Sequence, residues 1–356
     1  MRYDVALAAC KSYEDAEVSA ALETAVTAAG GLDWVTPGMR VALKLNLVSA
    51  MKPEEAATVH PAVVCALVRM LQARGAHVVL GDSPGGLYNA AHLQRVYDVT
   101  GLRAAEALGA ELNSDFSVCS VSYPEAVQAR SFTETAYLRN ADAIIDVCKL
   151  KTHGMMGMTN AVKNFFGIIP GTMKPEYHYK YPKIEDFANM IVDLCEYCKP
   201  RLCICDAVVG MEGNGPTAGT PRRIGAVLTS ENPFASDLLC ERLIGFEGTV
   251  PLVKEAISRG LCPDSADALD IVGTRPETLV VPDFREPDSA KNKSTSALAF
   301  FSRGRIGRFF MPRPVVVREK CRACGECVAS CPQHTIELVA RGEGRLAHIK
   351  HASCIR

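Results

Sequence analysis

The chain has 356 residues, 48% of them hydrophobic, and a formal net charge of −1, enough for one large or two medium cores. That charge balance gives no electrostatic ground for a nucleic-acid or anionic-membrane partner, and no uninterrupted apolar run reaches membrane-spanning length. Fifteen cysteines, ten of them scattered through apolar segments ahead of the C-terminal run, would mispair in an oxidising compartment. The first residues, Met1 to Val5, show neither the apolar core nor the cleavage site of a secretion signal, so a reducing cytoplasm is expected.

Taken in order, residues 5–9 read as a short strand. Residues 14–29 carry Val18, Leu22 and Val26 at helical spacing and stop at Gly30 and Gly31. Residues 40–47 form a buried strand that includes Lys44 and Asn46. Residues 61–74 form a helix with Pro61 at its start and Gly75 past its end. The strand at 77–81 runs into Asp82-Ser83-Pro84-Gly85-Gly86. Helix, strand and helix patterns continue to Asn140, and a strand at 143–149 ends in Lys149, Lys151 and His153.

A helix carrying Asn160, Lys163 and Asn164 follows, broken by Gly167 and Pro170-Gly171. The aromatic, basic loop 177–181 reads equally as a lid or as amphipathic surface, and a helix spans 184–198. A strand at 202–209 runs into a glycine-rich loop containing Glu212, Asn214 and Pro216. The body closes with a strand at 226–229, a helix from Asn232-Pro233 to Leu243 and a strand at 268–272. Residues 276–313 are linker-like, with a short apolar helix near 297–301. Strands alternating with helices predict an α/β body over 1–275, a mainly parallel sheet covered by helices on both faces.

Four of these strands finish in polar or glycine-rich clusters: Lys44 and Asn46; Asp82 and Ser83; Lys149, Lys151 and His153; and Asp206 leading to Glu212 and Asn214. Ligands of open α/β sheets bind beyond the carboxyl ends of the strands. If the four strands are neighbours, the clusters converge on one crevice with a cationic floor, suited to a carboxylate or phosphate. Each cluster also has a plainer reading as solvated flank, turn chemistry or structural histidine. Cys195, Cys198, Cys203 and Cys205 read as buried thiols rather than a metal site. No phosphate-binding loop, dinucleotide glycine fingerprint or nucleophile elbow is present.

Near the end stands Cys321-x-x-Cys324-x-x-Cys327-x-x-x-Cys331-Pro332. Two-residue gaps aim several thiolates at one small cluster, and soft ligands at this spacing select iron–sulfur chemistry; zinc sites are usually built from two separated cysteine pairs. A ferredoxin-like 4Fe-4S domain over 314–356 is expected. In two-cluster ferredoxins the fourth cysteine serves the other cluster. Cys354 resembles the opening of a second run, so the sequence is expected to be a truncated version of a longer protein. One cluster is expected here, with Cys331 or Cys354 recruited as fourth ligand, and a second only if the native chain continues beyond Arg356.

Lys149 to His153 followed by Thr159 to Gly167 resembles the signature of the domain-of-unknown-function family 362. So do Lys44 to Asn46, Gly81 to Gly85, Asp206 with Gly213 to Pro216, and Asn232 to Asp237. The resemblance covers most of residues 38–240 and implies an iron–sulfur protein; members of the family often carry a ferredoxin-type tail with two cysteine runs. It implies no settled reaction.

The leading expectation is a cytoplasmic oxidoreductase that passes single electrons from a 4Fe-4S cluster, supplied by a redox partner protein, to an anionic small molecule. Lys44, Lys149, Lys151 and Lys163 would hold the anion, with Ser83 and Glu212 beside them. Asn46, Asn164 and Asn214 would orient it, and His153 and Asp82 would deliver protons. The rivals are a metabolite-binding module, a non-redox lyase or isomerase with a structural or sensing cluster, and a pure electron carrier. The residues leave the oligomeric state open.

Overall fold

The computed structural model describes residues 4–291, 314–329, 331, 335–342 and 344–351. In chain order the body runs β1 (Val5–Ala9), α1 (Asp15–Ala28), β2 (Arg40–Leu45), α2 (Pro61–Gln72), β3 (His77–Gly81), α3 (Ala90–Val99), α4 (Arg103–Ala107) and β4 (Glu111–Leu112). Next come β5 (Val118–Ser122), β6 (Ser131–Thr135), β7 (Ala143–His153), β8 (Gly157–Thr159), α5 (Ala161–Asn164), α6 (Lys174–Lys180) and α7 (Ile184–Cys198). Then follow β9 (Leu202–Glu212), β10 (Thr220–Ser230), α8 (Pro233–Leu243), α9 (Pro251–Ser258), β11 (Ile271–Gly273) and α10 (Asp288–Lys291). The tail contributes α11 (Glu326–Ala329) and the hairpin β12 (Ile336–Arg341) and β13 (Gly344–Ile349).

Among the described residues one nine-stranded sheet has the order β11-β1-β10-β9-β7-β2-β3-β4, with β8 folded back antiparallel on β7. The neighbours β9, β7, β2, β3 and β4 are all parallel, and on the main path only β10 runs against them. The expected mainly parallel sheet with helices on both faces is therefore the observed one.

Alternation along the strands divides the core into two layers. Val41, Leu43 and Leu45 of β2, and Ile145 and Val147 of β7, pack with Val18 and Leu22 of α1, Val64 and Leu67 of α2 and Leu93 of α3. Ala42, Cys148, Leu150, Cys203 and Cys205 point the other way, against α5, α7, α8 and α9. Helix starts follow local chemistry: Pro61 and Pro233 occupy first-turn positions, and the Asn232 side chain accepts from the N–H groups of Phe234 and Ala235.

This topology fixes where a crevice opens. From β2 the chain steps outward to β3 and β4, with α2, α3 and α4 on one face. From β7 it steps the opposite way to β9, with α7 on the other face. The strand order thus reverses between β2 and β7, and their carboxyl ends diverge there.

Several local expectations change. The strands at 143–149 and 202–209 extend to His153 and Glu212, and residues 177–181 belong largely to helix α6. The expected linker is not one over its first part: Phe284 is buried in the core, and Arg285 and Asp288 bond to Glu212 and Asn214. The apolar helix near 297–301, the rest of the linker to 313, and Cys354 lie outside the described residues.

Candidate functional site: a lysine-lined cavity at the β2–β7 switch point

A cavity of about 270 Å³ opens beyond the carboxyl ends of β2, β3 and β7. Asn46 follows β2, Asp82 follows β3, and Lys151 and His153 end β7, so three of the four expected strand-end clusters do converge. The segment 159–178 covers them, contributing Thr159, Lys163, Asn164, Phe166, Lys174 and His178, and Pro216 reaches in from the loop after β9.

Beneath the cavity lies a closed polar network. Lys44 is fully buried and pairs with Asp82 at 2.8 Å. Asp82 also accepts from the N–H groups of Leu47 and Ser83, both at 2.8 Å. Asn164 joins the strands: its Oδ1 accepts from Lys44 (3.2 Å) and Asn46 (3.0 Å), and its Nδ2 donates to Asp146 (2.7 Å) and the Lys44 carbonyl (3.2 Å). Asn46 Oδ1 in turn accepts from Lys151 at 2.7 Å. Burial raises the Asp146 carboxyl to about 7, which places it among the buried groups that resist ionisation.

The covering segment is held by its own contacts with β3. The Gly171 N–H donates to Ser83 Oγ at 2.7 Å, and Lys174 donates to the Ser83 carbonyl. Gly167 crosses directly over the Lys44–Asp82 pair, where an added Cβ would come to 2.1 Å from Asp82 Oδ1, so only glycine fits.

Three lysines face the cavity. Lys151 donates to Asn46 and the Ala57 carbonyl, and Lys174 to the Ser83 carbonyl. Lys163 is 8% exposed and makes no hydrogen bond or ion pair among the described residues; its Nζ sits 4.4 Å from the Phe166 ring centre. Burial first, then neighbouring cations, lowers Lys163 to about 7; burial first, then Lys149, lowers Lys151 to about 7; burial lowers Lys174 to about 8. His153 Nδ1 accepts from the N–H groups of Met155 and Met156, which puts its ring proton on Nε2. Burial, then Lys163 and His178, pushes its pKa well below the usual histidine value. His178 stacks on Phe187 at 4.5 Å, and burial lowers it to about 4. Both rings are neutral near pH 7.

The other expected residues take different places. Lys149 does not face the cavity. It lies on the opposite sheet face, paired with Asp206 at 2.8 Å and bonded to Tyr13 Oη at 2.8 Å. Tyr13 stacks on His60 at 3.6 Å and closes that pair in. Glu212 binds Arg285 at 2.8 Å, and Asn214 binds Asp288 at 2.8 Å, so both anchor residues 285–288 rather than line the cavity. Ser83 holds the covering segment, and Asp82, with both oxygens engaged, is the counter-ion of Lys44 rather than a free acid. A neutral His153 with its proton on Nε2 is a hydrogen-bond donor and a poor proton source.

Lys174, His178 and Phe166 complete the cavity from a segment whose sequence signalled a broken helix and an aromatic, basic run readable as a lid or as amphipathic surface. The glycines at 167 and 171 were its legible trace, each marking a close backbone approach.

In the tail, Ala323 (φ 52°) and Gly325 (φ 79°) adopt left-handed backbone between the cysteines, which lets the loop wrap a small centre. Backbone N–H groups of Ala347 and Ala323 lower the Cys321 thiol below its ordinary value. Thr335 N donates to Cys331 Sγ at 3.4 Å. Donors aimed at sulfur favour thiolates, the ligand type an iron–sulfur cluster needs. By residue type and spacing, Cys321, Cys324, Cys327 and Cys331 fit such a group. Cys195, Cys198, Cys203 and Cys205 are free thiols, and Cys203 lies with Asp146 and Cys148 in a buried group whose ligand atoms are within 4.8 Å of one another. Among the described residues no helix is long and apolar enough to cross a membrane.

Comparison with known proteins gives three findings. A family model described as a domain of unknown function, DUF362, matches residues 41–242, and a 4Fe-4S binding domain model matches residues 314–337. The thylakoid-associated protein sll1697 of Synechocystis is 31% identical over 293 residues, 80% of this chain and 88% of that protein. The lactate racemase apoprotein from Thermoanaerobacterium thermosaccharolyticum superposes with a TM-score of 0.44 at 11% identity; the match covers 70% of this chain and 58% of that chain.

Proposed function

The chain belongs to the DUF362 family and carries a 4Fe-4S binding domain, and we propose that it is an iron–sulfur oxidoreductase whose body takes an anionic small molecule into the β2–β7 cavity. One observation carries the reading. Three lysines line the cavity, while the one carboxylate among its described lining residues, Asp82, is already bonded to Lys44. Buried cations without counter-ions are costly, and an anion removes that cost.

Lys151 and Lys174 each keep donors beyond their protein partners and would hold the carboxylate or phosphate oxygens. The Nε2–H of His153 would donate a further hydrogen bond. Phe166 and His178 would cover the ligand and exclude water. Cys321, Cys324, Cys327 and Cys331 would hold the cluster, which supplies one-electron transfer when bound, with a partner protein as the electron source. A reducing cytoplasm suits the ten free thiols of the body.

The test uses anaerobically purified full-length protein. Inorganic phosphate should raise its melting temperature, and the dithionite-reduced protein should be reoxidised by an anionic compound from a fractionated metabolite extract. Lys151→Ala should abolish both effects. Anions that displace phosphate without reoxidation would replace this reading with a binding module or a non-redox lyase or isomerase. Reoxidation that survives Lys151→Ala would indicate a plain electron carrier.

A further inference from the structure

We infer that Lys163 is a nucleophilic amine that forms an imine with the carbonyl group of a small oxo-carboxylate held in this cavity. The inference rests on the anion-binding half of the proposed function and is independent of the redox half.

The three cavity lysines are not treated alike. Lys151 and Lys174 are given oxygen acceptors, from Asn46 and the Ala57 carbonyl and from the Ser83 carbonyl. A lysine that serves as an anion clamp benefits from such partners, because they stabilise its charged form. Lys163 receives none among the described residues. Its surroundings are the Phe166 ring at 4.4 Å, the Phe187 ring at 5.6 Å and the open cavity.

Aromatic faces attract an ammonium only weakly, while burial and the nearby cations Lys174, Lys151 and Lys44 act in the opposite direction, lowering this amine to about 7. Much of it is free base at neutral pH. A desolvated lysine beside other cations, facing a cavity, is the arrangement that activates an amine as a nucleophile.

The same geometry names the class of carbonyl compound. Lys174, lowered only to about 8, and Lys151, whose ammonium form a bound carboxylate stabilises, flank the amine with charge for a carboxylate, and about 270 Å³ limits the ligand to a small molecule. The Lys163 Nζ lone pair attacks the carbonyl carbon and a C–N bond forms. The C–O bond then breaks, and the oxygen leaves as water carrying both amine hydrogens. No oxidant or reductant is consumed.

Full-length protein at pH 7 is incubated with glyoxylate or pyruvate and cyanoborohydride, which reduces an imine to a stable secondary amine, and peptides are read by mass spectrometry. Lys163 should be labelled roughly a thousandfold faster than an ordinary exposed lysine, as its larger free-base fraction requires, and exposed Lys183 serves as the reference peptide. The labelling rate should rise with pH through an inflection near 7, inorganic phosphate should suppress it, and Lys163→Arg should remove the labelled peptide. Labelling no faster at Lys163 than at Lys183, while phosphate still binds, overturns the imine and leaves the anion site standing. Absence of phosphate binding overturns the anion site itself. Rapid Lys163 labelling that phosphate does not suppress keeps the amine and overturns the oxo-carboxylate assignment.

Discussion

Two lysine–aspartate pairs are buried at the ends of neighbouring strands, on opposite faces of one sheet. Lys44–Asp82 and Lys149–Asp206 have the same 2.8 Å separation and nearly complete burial. The second is sealed: Asp206 accepts from Lys149, Tyr13 and the His60 and Val208 N–H groups, and the stacked Tyr13 and His60 rings shut out solvent. The first supports a cavity, because a segment carrying two more lysines arches over it and leaves a gap. One chemical motif therefore serves as a pin on one face and as the floor of a site on the other. What differs is the covering layer.

The comparison breaks most readily at the pairs themselves. Lys149→Ala and Lys44→Ala should each cost about 3–5 kcal/mol, because each leaves a buried carboxylate unpaired. Urea denaturation measures the loss, and only Lys44→Ala should also lose phosphate binding. A cost below about 1 kcal/mol for Lys149→Ala would show that the sealed pair is no pin.

Gly167→Ala should cost about 1–3 kcal/mol through overpacking and should weaken phosphate binding together with stability, since the added methyl meets Asp82. Unchanged phosphate affinity would mean that the covering segment does not set the cavity.

Lys163→Ala sharpens the contrast in the other direction. It removes a buried cation with no acceptor among the described residues, so stability at pH 7 should stay level or rise, while phosphate affinity falls about tenfold, or ~1.4 kcal/mol. The pH dependence follows from the same group. Its folded pKa of about 7 lies below the unfolded lysine value, so the unfolded chain binds more protons between the two and stability rises with pH across that window. Thermal melts from pH 7 to 10 should show the rise in the parent protein and a shallower one in Lys163→Ala. A steeper slope in the variant would contradict the assignment.

The smallest effect belongs to Glu212→Gln. Its partner Arg285 is largely exposed, so less than about 1 kcal/mol should be lost, with phosphate binding intact. Loss of binding would move Glu212 back among the ligand residues.

Much of this arrangement is legible along the chain. Apolar alternation and helical spacing gave β2, β3, β7 and β9 and their polar ends, and the cysteine spacing gave the iron–sulfur domain, because both patterns are local. The fate of each polar end is not local. Lys44 and Lys149 look equivalent in sequence, since a lysine inside an apolar strand carries no mark of which sheet face is sealed. Lys174 and His178 were missed as site residues because their segment reaches the strand ends through a bond to Ser83, 88 positions earlier. Residues 276–291 read as linker because proline and charge dominate there, yet Phe284 finds a core position that only the folded body offers.

The sequence alone determined the layers, the strand ends that carry polar groups and the thiolate set of the tail, since periodicity and spacing act between residues a few positions apart. Tertiary structure alone decided which lysine is paired, which is covered and which is left facing a cavity. Desolvation and Coulomb attraction act over a few ångströms of space, and the residues that meet across that distance are far apart along the chain.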